Sequence, residues 1–434
     1  MGLGITARLL VQRRFFPLMT AQAMGAFNDN LFRFALVNLA TFQGLTIFGL
    51  DRELMVPIAA TALTLPIFLF SAVAGQVADK YDRVFIMRRT KFVEIMLMLA
   101  AALGFFLNNG LLLVAVLFFM GMQSAFFAPA RNSALPTLLQ GKELVTGNAL
   151  VMGTLNVAIL AGAGLATIYV VREDAAQMLS LTLVGVAIAG WAIMCLNTPA
   201  PPGAKDLKIR WNIVTETIRV LGFAAKAPDV LRPLLGVAWF WMLAASVVTL
   251  MPLFTAAVLG GDETVGLALT VIFTLGAALG AVLCGVFTRG QDALIFTVLG
   301  SFGLVIFPSF VAITTLGWAE PDPDALMDAM AFLSDSDHWP VLGALALSAV
   351  SAGMFMVPMQ AMAQRRAAEE LRGRLLAAGG IMNAASASLG QFTLFVIGLF
   401  SLPLQAAFGY IAAFSLLFGV IALWRMTRAG RNGR

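Results

Sequence analysis

Apolar residues run through the chain in blocks of about twenty, separated by short turns that collect the charges and prolines. A hydrocarbon core of roughly 30 Å takes about 20 apolar residues as a helix, so each block predicts one membrane crossing. With turns and charges as boundaries, six crossings fall at 16–41, 55–78, 91–107, 111–132, 146–170 and 176–196. Six more fall at 233–258, 264–287, 293–316, 341–362, 377–400 and 404–424. Between the groups, Thr198-Pro-Ala-Pro-Pro-Gly203 leads into a mixed-charge amphipathic stretch from Trp211 to Ala225, a polar linker long enough to separate two halves. The pattern predicts an all-α membrane protein with twelve transmembrane helices. They form two six-helix bundles, 1–197 and 232–434, joined by a cytoplasmic linker with an amphipathic helix at 198–231.

Composition narrows the function classes. The chain of 434 residues is 60% hydrophobic and 12% charged, whereas soluble domains are roughly a quarter charged, so an ordinary soluble enzyme is excluded. Forty glycines fit close helix contacts in lipid. Cys195 and Cys284 lie in apolar runs and the single histidine, His338, lies in an acidic loop, so no metal site, cofactor or histidine-based catalysis is expected. With the N-terminus inside, 25 of the 28 Lys and Arg residues fall in cytoplasmic segments, and the outer loops hold only Arg52 and Arg172. Both termini are therefore expected in the cytoplasm, and the net charge of +5 reflects topology and not nucleic-acid binding. Arg8, Arg13 and Arg14 precede an apolar run of about 25 residues without a small-x-small cleavage site, which predicts a retained first helix and not a signal peptide.

With Lys91 and Arg131, at the span ends, counted with the cytoplasmic loops, three ionisable residues remain inside the predicted spans: Asp29, Arg33 and Glu94. Each costs on the order of 2.5–3.5 kcal/mol at a helix centre on insertion scales and must face protein or water. Asp29 and Arg33 are one turn apart, and Gln22 and Gly25 fall on the same line, with Asn28 and Asn30 beside it. A stripe of amide, carboxylate and guanidinium suits a solute carrying both charges, because the Arg fork matches phosphate. The bland alternative is a mutually neutralising pair at a helix contact. Glu94 follows Lys91 by three residues, which fits a local ion pair or gate contact, with a titrating coupling carboxylate as the sharper alternative. Gln123, Asn148, Asn156, Gln360, Asn383 and Gln391 read mostly as interhelical hydrogen bonders; Gln123, Asn148 and Asn383 join the candidate site if they converge on helix 1.

The halves echo each other. Asn148 and Asn156 are answered 235 positions later by Asn383 and Gln391, and the end of helix 4 at Phe127-Ala-Pro129 is echoed at the end of helix 10 by Met356-Val-Pro358, which points to parallel repeats. Aligning Pro17-Leu18 with Pro233-Leu234 puts Ala245 at the place of Asp29 and Thr249 at that of Arg33, so the charges belong to one half only. A polar first half and a greasy second half, with Trp239, Phe240, Trp241 and Met242, fit an amphiphile better than a sugar. The alternative for the tryptophans is an aromatic belt near the membrane surface.

Gly75-Gln-Val-Ala-Asp79-Lys80-Tyr-Asp82-Arg83 resembles the G-x-x-x-D-[RK]-x-G-[RK] signature of the major facilitator superfamily, with Asp82 in place of the second glycine. The resemblance implies that Asp79 helps lock the halves on the cytoplasmic side, with Arg131, Arg372 and Arg374 as candidate partners and Lys80 and Arg83 in the same gate. More specifically, Gly25-Ala-Phe27-Asn28-Asp29-Asn30-Leu-Phe32, Gln123-Ser-Ala-Phe126-Phe127-Ala-Pro129, Glu143-Leu-Val-Thr-Gly147-Asn148-Ala149 and Arg372-Gly373-Arg374 resemble the lysophospholipid transporter family. They are also similar to the transporter half of bacterial proteins fused to a phospholipid acyltransferase. His338 has Gly343 where an H-x-x-x-x-D acyltransferase motif needs Asp. The family implies inward movement of lysophospholipid, chiefly lysophosphatidylethanolamine, across the bacterial inner membrane. Its partners are then the lysophospholipid, membrane lipid and a separate acyltransferase, and a monomer is expected. Asp29 would meet the ammonium or steer Arg33, and Arg33 would meet the phosphate. Two other readings compete: a proton-coupled exporter of amphiphilic drugs using Asp29 or Glu94, and a transporter-like scaffold that moves nothing.

Overall fold

The computed structural model describes residues 8–47, 49–139, 142–201, 203–288, 294–323, 325–367 and 372–432. It covers the backbone alone at 142, 145, 149, 285–288, 372–373 and 424–432. The fold is all-helical. The long helices are α1 (Phe16–Phe42), α2 (Arg52–Lys80), α3 (Arg83–Phe106), α4 (Gly110–Leu138), α5 (Lys142–Val170) and α6 (Ala175–Cys195). The linker helix α7 (Ile213–Ala225) precedes α8 (Pro228–Phe254), α9 (Glu263–Thr288) and α10 (Leu294–Thr315). After the short α11 (Ala329–Ser334) come α12 (Trp339–Arg366), α13 (Arg372–Leu399) and α14 (Ala406–Asn432).

Among the described residues ten helices are long and apolar enough to cross a membrane, and the chain is a multi-pass membrane protein. The two remaining long helices, α1 and α3, carry the polar stripe and the Lys91–Glu94 sequence. Helix α3 starts at Arg83, well before the predicted 91, because Asp82 caps it by accepting from the Phe85 amide at 2.8 Å. That is the physical use of the residue that departs from the signature glycine. The early start corrects the assignment of Lys91 to a loop.

The chain forms two compact units, Met1–Leu50 with Ala59–Arg219 and Asp51–Ile58 with Val220–Arg434. Within the first, α1 packs on α5 and α6, and α3 packs on α4 and α6. Within the second, α8 packs on α13, and α10 packs on α12 and α14. Both units share the packing of helix one on five and of helix three on four and six; they differ in that α1 also packs on α6 in the first, whereas α8 and α9 both pack on α12 in the second.

Close approach in the first unit depends on Gly162 of α5. A Cβ there would lie 2.6 Å from the Phe27 carbonyl oxygen and 2.9 Å from the Leu31 nitrogen, so only glycine lets α5 press against the α1 turn that carries Asp29. At one edge of the same unit Arg14 pairs with Glu143 at 2.8 Å and donates to the Leu138 carbonyl, joining the start of α1 to the start of α5. In the second unit His338 belongs to the acidic loop. It lies 3.3 Å from the Asp335 carboxylate, and its ring packs 4.1 Å from that of Phe332. That is a structural role.

Candidate functional site

The most unusual chemistry in the first unit is a charge pair with no access to solvent. Lys91 and Glu94 of α3 form an ion pair of 2.6 Å, with side chains 2% and 4% exposed. The sequence pattern had offered Glu94 as one of three charges inside the spans; Lys91 makes a fourth. Breaking such a pair by removing one partner costs about 3–5 kcal/mol because the other charge stays buried, so every group around it must cooperate. Glu94 faces the Gln123 amide and the Asn28 amide, each at 3.5 Å. Asn28 also donates to the Leu183 carbonyl of α6 at 2.9 Å, and Gln123 to the Thr90 carbonyl at 3.3 Å. The Lys91 ammonium lies 5.5 Å from the centre of the Phe127 ring, within range of a cation–π contact.

Gly25 makes room for this pair. A Cβ at that position would stand 2.3 Å from the Lys91 Nζ and 3.6 Å from a Glu94 carboxylate oxygen. The ammonium therefore occupies the volume a side chain would take on α1, and the glycine that opens the family-like segment is the point at which α1 and α3 meet.

The predicted stripe on α1 divides into two parts. Gln22 and Asn28 are buried, and neither polar atom of the Gln22 amide, nor the Asn28 oxygen, has a hydrogen-bond partner among the described residues. Asp29, Asn30 and Arg33 are half-buried. Arg33 donates to the Asn30 amide oxygen at 3.0 Å, and its guanidinium sits 4.8 Å over the Phe34 ring; Asn30 in turn donates to the Ala26 carbonyl at 2.7 Å. Among the described residues Asp29 and Arg33 form no ion pair with each other or with any other group. The mutually neutralising pair that the one-turn spacing allows is not the arrangement adopted.

Other candidates lie elsewhere. Asn148 is exposed and donates back to the Leu144 carbonyl of its own helix at 2.9 Å. Asn383 belongs to the second unit; with its amide turned to the orientation that satisfies both neighbours, it donates to the Gly379 carbonyl at 3.1 Å and accepts from the Trp241 indole at 3.3 Å. Trp239 is buried and stacks on Phe414 and Phe418 at 5.3 and 6.1 Å, so it packs inside the second unit. That unit also holds a small apolar pocket lined by residues such as Leu243, Val247, Met251, Phe273 and Phe408, with Ser348 as a polar group in its wall.

The signature loop is tied by its basic residues. Arg83, nearly buried, donates to the Thr137 hydroxyl at 3.0 Å and the Pro201 carbonyl at 2.8 Å. The Asp79 carbonyl accepts from the Ala204 amide at 2.9 Å. Lys80 lies over the Tyr81 ring at 5.8 Å. Arg131 donates to the Asn132 side chain at 2.8 and 3.0 Å, and no Asp79–Arg131 ion pair occurs among the described residues. Arg374 lies 5.9 Å from the Phe223 ring within the second unit. The Arg372 side chain falls outside the described residues.

A many-helix membrane protein that folds as two compact units, with charge enclosed in one of them, has the make-up of a membrane transporter. Residues 18–391 match the Major Facilitator Superfamily, and the chain belongs to that family. It is similar to the lysophospholipid transporter LplT of Escherichia coli (strain SE11), 24% identical over 418 residues covering 94% of this chain and 95% of that one. The lysophospholipid transporter LplT of Shigella boydii serotype 4 gives the same identity and coverage. Among solved structures, the fold resembles peptide transporter POT in complex with sulfate, with a TM-score of 0.73, 13% identity and 99% of both chains covered. It also resembles a bacterial homologue of the human lysosomal transporter Spinster, with a TM-score of 0.57, 17% identity and coverage of 95% and 96%.

Lys91→Met or Glu94→Gln alone is expected to destabilise the protein by about 3–5 kcal/mol, whereas the double variant recovers most of that loss. Gly25→Ala is expected to act through the same pair and to cost far less in the double-variant background. Thermal unfolding in detergent of the five proteins tests both statements; additive losses would show that the pair is not what holds this region.

Proposed function

We propose that this protein carries lysophospholipid, chiefly lysophosphatidylethanolamine, inward across the bacterial inner membrane by alternating access of two six-helix bundles, 1–197 and 232–434. In this reading all twelve long helices cross the membrane, α1 and α3 turning their charges inward, with both termini and the linker at 198–231 in the cytoplasm. The transporter works as a monomer and passes its cargo to a separate acyltransferase.

The observation that carries the reading is the division of labour among four charges. Lys91 and Glu94 are consumed by each other, while Asp29 and Arg33, half-buried on one face of α1, form no ion pair among the described residues. A zwitterionic headgroup supplies what they lack: its ammonium meets Asp29 and its phosphate the Arg33 fork, which Asn30 already orients. Gln22, Asn28 and Gln123 complete the polar wall, and the open hydrogen-bonding capacity of Gln22 is available to the headgroup or its glycerol. The acyl chain is matched by the apolar second unit, where Ala245 and Thr249 stand at the positions corresponding to Asp29 and Arg33. The names of the Escherichia coli and Shigella relatives support the same substrate class.

A proton-coupled exporter of amphiphilic drugs is the second reading. Its proton site would fall to Asp29, since Glu94 is held by the Lys91 ammonium. The gate, in either reading, is formed by Asp79, Lys80, Arg83, Arg131, Arg372 and Arg374.

Purified protein in liposomes is expected to take up labelled lysophosphatidylethanolamine without an imposed proton gradient. Loss of a hydrogen bond to a charged group costs about 1.5–3 kcal/mol, so Asp29→Ala and Arg33→Ala should each reduce uptake at least about tenfold while the melting temperature stays near wild type. Uptake that appears only with a proton gradient would favour the exporter, and near-normal uptake by either variant would remove the headgroup site. Asp79→Asn is expected to change the distribution of inward-open and outward-open states; unaltered spin-label distances across the gate would exclude it from gating.

A further inference from the structure

The linker helix α7 leaves one face without a partner. Trp211, just before the helix, and Val214, Ile218, Leu221 and Ala225 recur at alternating spacings of three and four, so they line up as one stripe at 3.6 residues per turn. Trp211, Val214 and Ile218 are 68%, 66% and 63% exposed. The opposite face is engaged. Glu216 and Thr217 are buried; Glu216 accepts from the Gln76 amide at 3.2 Å and pairs with Arg219, with Arg210 4.0 Å away. Farther along, Phe223 and Ala224 pack with Leu234, Ala363 and Leu375 of the second unit. Held at both ends, the helix cannot roll to bury its stripe.

The surroundings of the stripe identify what covers it. Lys205, Lys208, Arg210 and Lys226 are exposed along this segment, while Glu216 is neutralised by its arginines, leaving Asp206 as the exposed acid between 205 and 226. The chain passes from Lys226 through Ala227 directly into α8 at Pro228, which is long and apolar enough to cross a membrane. The end of the stripe is therefore within a few residues of a bilayer surface. An apolar face containing Trp, bordered by basic residues and adjoining a membrane crossing, matches a helix that lies in the interface.

We propose that α7 is a membrane-surface helix: the Trp211, Val214 and Ile218 face enters the boundary between headgroups and acyl chains, and Lys205, Lys208 and Lys226 bind the phosphates of anionic lipid. It goes beyond the transport reading and does not depend on the identity of the cargo.

The test uses the full-length protein with Cys195→Ser and Cys284→Ser, spin-labelled singly at Val214→Cys, Ile218→Cys or Asn212→Cys. It is reconstituted in liposomes of phosphatidylethanolamine with phosphatidylglycerol, or of phosphatidylcholine alone. Labels at 214 and 218 are expected to be accessible to oxygen and shielded from a water-soluble nickel chelate in the anionic liposomes, with the label at 212 showing the reverse. Nickel access at 214 and 218 should rise several-fold in phosphatidylcholine, and likewise in anionic liposomes when Lys205→Gln and Lys208→Gln are combined. Nickel access at 214 and 218 equal to that at 212 in both lipids would overturn the proposal and leave a soluble protein as the occupant of the stripe. Shielding indifferent to lipid charge would overturn the anionic-lipid site. Quenching of the unlabelled protein by brominated phosphatidylglycerol, reduced in Trp211→Phe, gives a second readout that needs no cysteine variant; an equal degree of quenching in that variant would count against insertion of Trp211.

Discussion

A fully buried ammonium–carboxylate pair inside a helical membrane protein sets conditions that the first unit must meet. Neither Lys91 nor Glu94 can be solvated, so their mutual contact of 2.6 Å must be supplemented by the amides of Asn28 and Gln123 and the face of Phe127. These groups come from α1 and α4, and Asn28 reaches on to the Leu183 carbonyl of α6. Three neighbouring helices are thereby brought into register around α3. The demand extends to backbone shape: Gly25 is where α1 gives up a side chain so that the ammonium fits.

That arrangement explains how α1 can carry two further charges without collapsing them onto each other. If Lys91 were absent, Asp29 and Glu94 would be two acids with one guanidinium nearby, and Arg33 would be drawn into neutralising them. With Lys91 present the four formal charges sum to zero, and Arg33 settles on a neutral amide, Asn30. The second unit has no such problem. Serine and threonine stand on α8 in the stretch corresponding to the α1 charges, with Ser246 bonding back to the Met242 carbonyl at 2.8 Å, and its interior is filled by stacked aromatic and aliphatic side chains. One sequence repeat has thus been specialised in two directions on the same packing scheme.

Much of this is legible in the sequence because membrane crossing imposes a strong pattern. Spacing of apolar blocks locates most ends of the long helices closely, since a bilayer fixes their length, with the start of α3 the clear exception, and the amide pairs at 148 and 156 and at 383 and 391 are in keeping with the helix pairings the two units share. What escapes is decided by side chains acting across helices. Lys91 reads as a loop charge because three basic residues, Arg83, Arg88 and Arg89, precede it closely; only the cap at Asp82 and the acceptors for Arg88 at the Cys195 and Asn197 carbonyls turn that basic run into the start of a helix. The i, i+3 relation to Glu94 already points to the ion pair, since a carboxylate inside a span needs a counter-ion within reach; what it leaves open is that both charges are buried. Asp29 and Arg33 show the converse. Their spacing permits a pair, but whether two charges meet depends on what else competes for each.

The separation between a committed and an uncommitted pair also bears on how a transporter can release what it binds. A headgroup held by groups that have no other partner leaves them exposed to a low-dielectric surrounding when it departs, which would make release costly. Here Arg33 retains the Asn30 oxygen and the Phe34 face, so the guanidinium is never stripped of all contacts. The field of Lys91 and Glu94 stays fixed because neither takes part in the exchange. Structural charges therefore hold the helices whether or not cargo is present, while the charges that face cargo are held weakly enough to change partners.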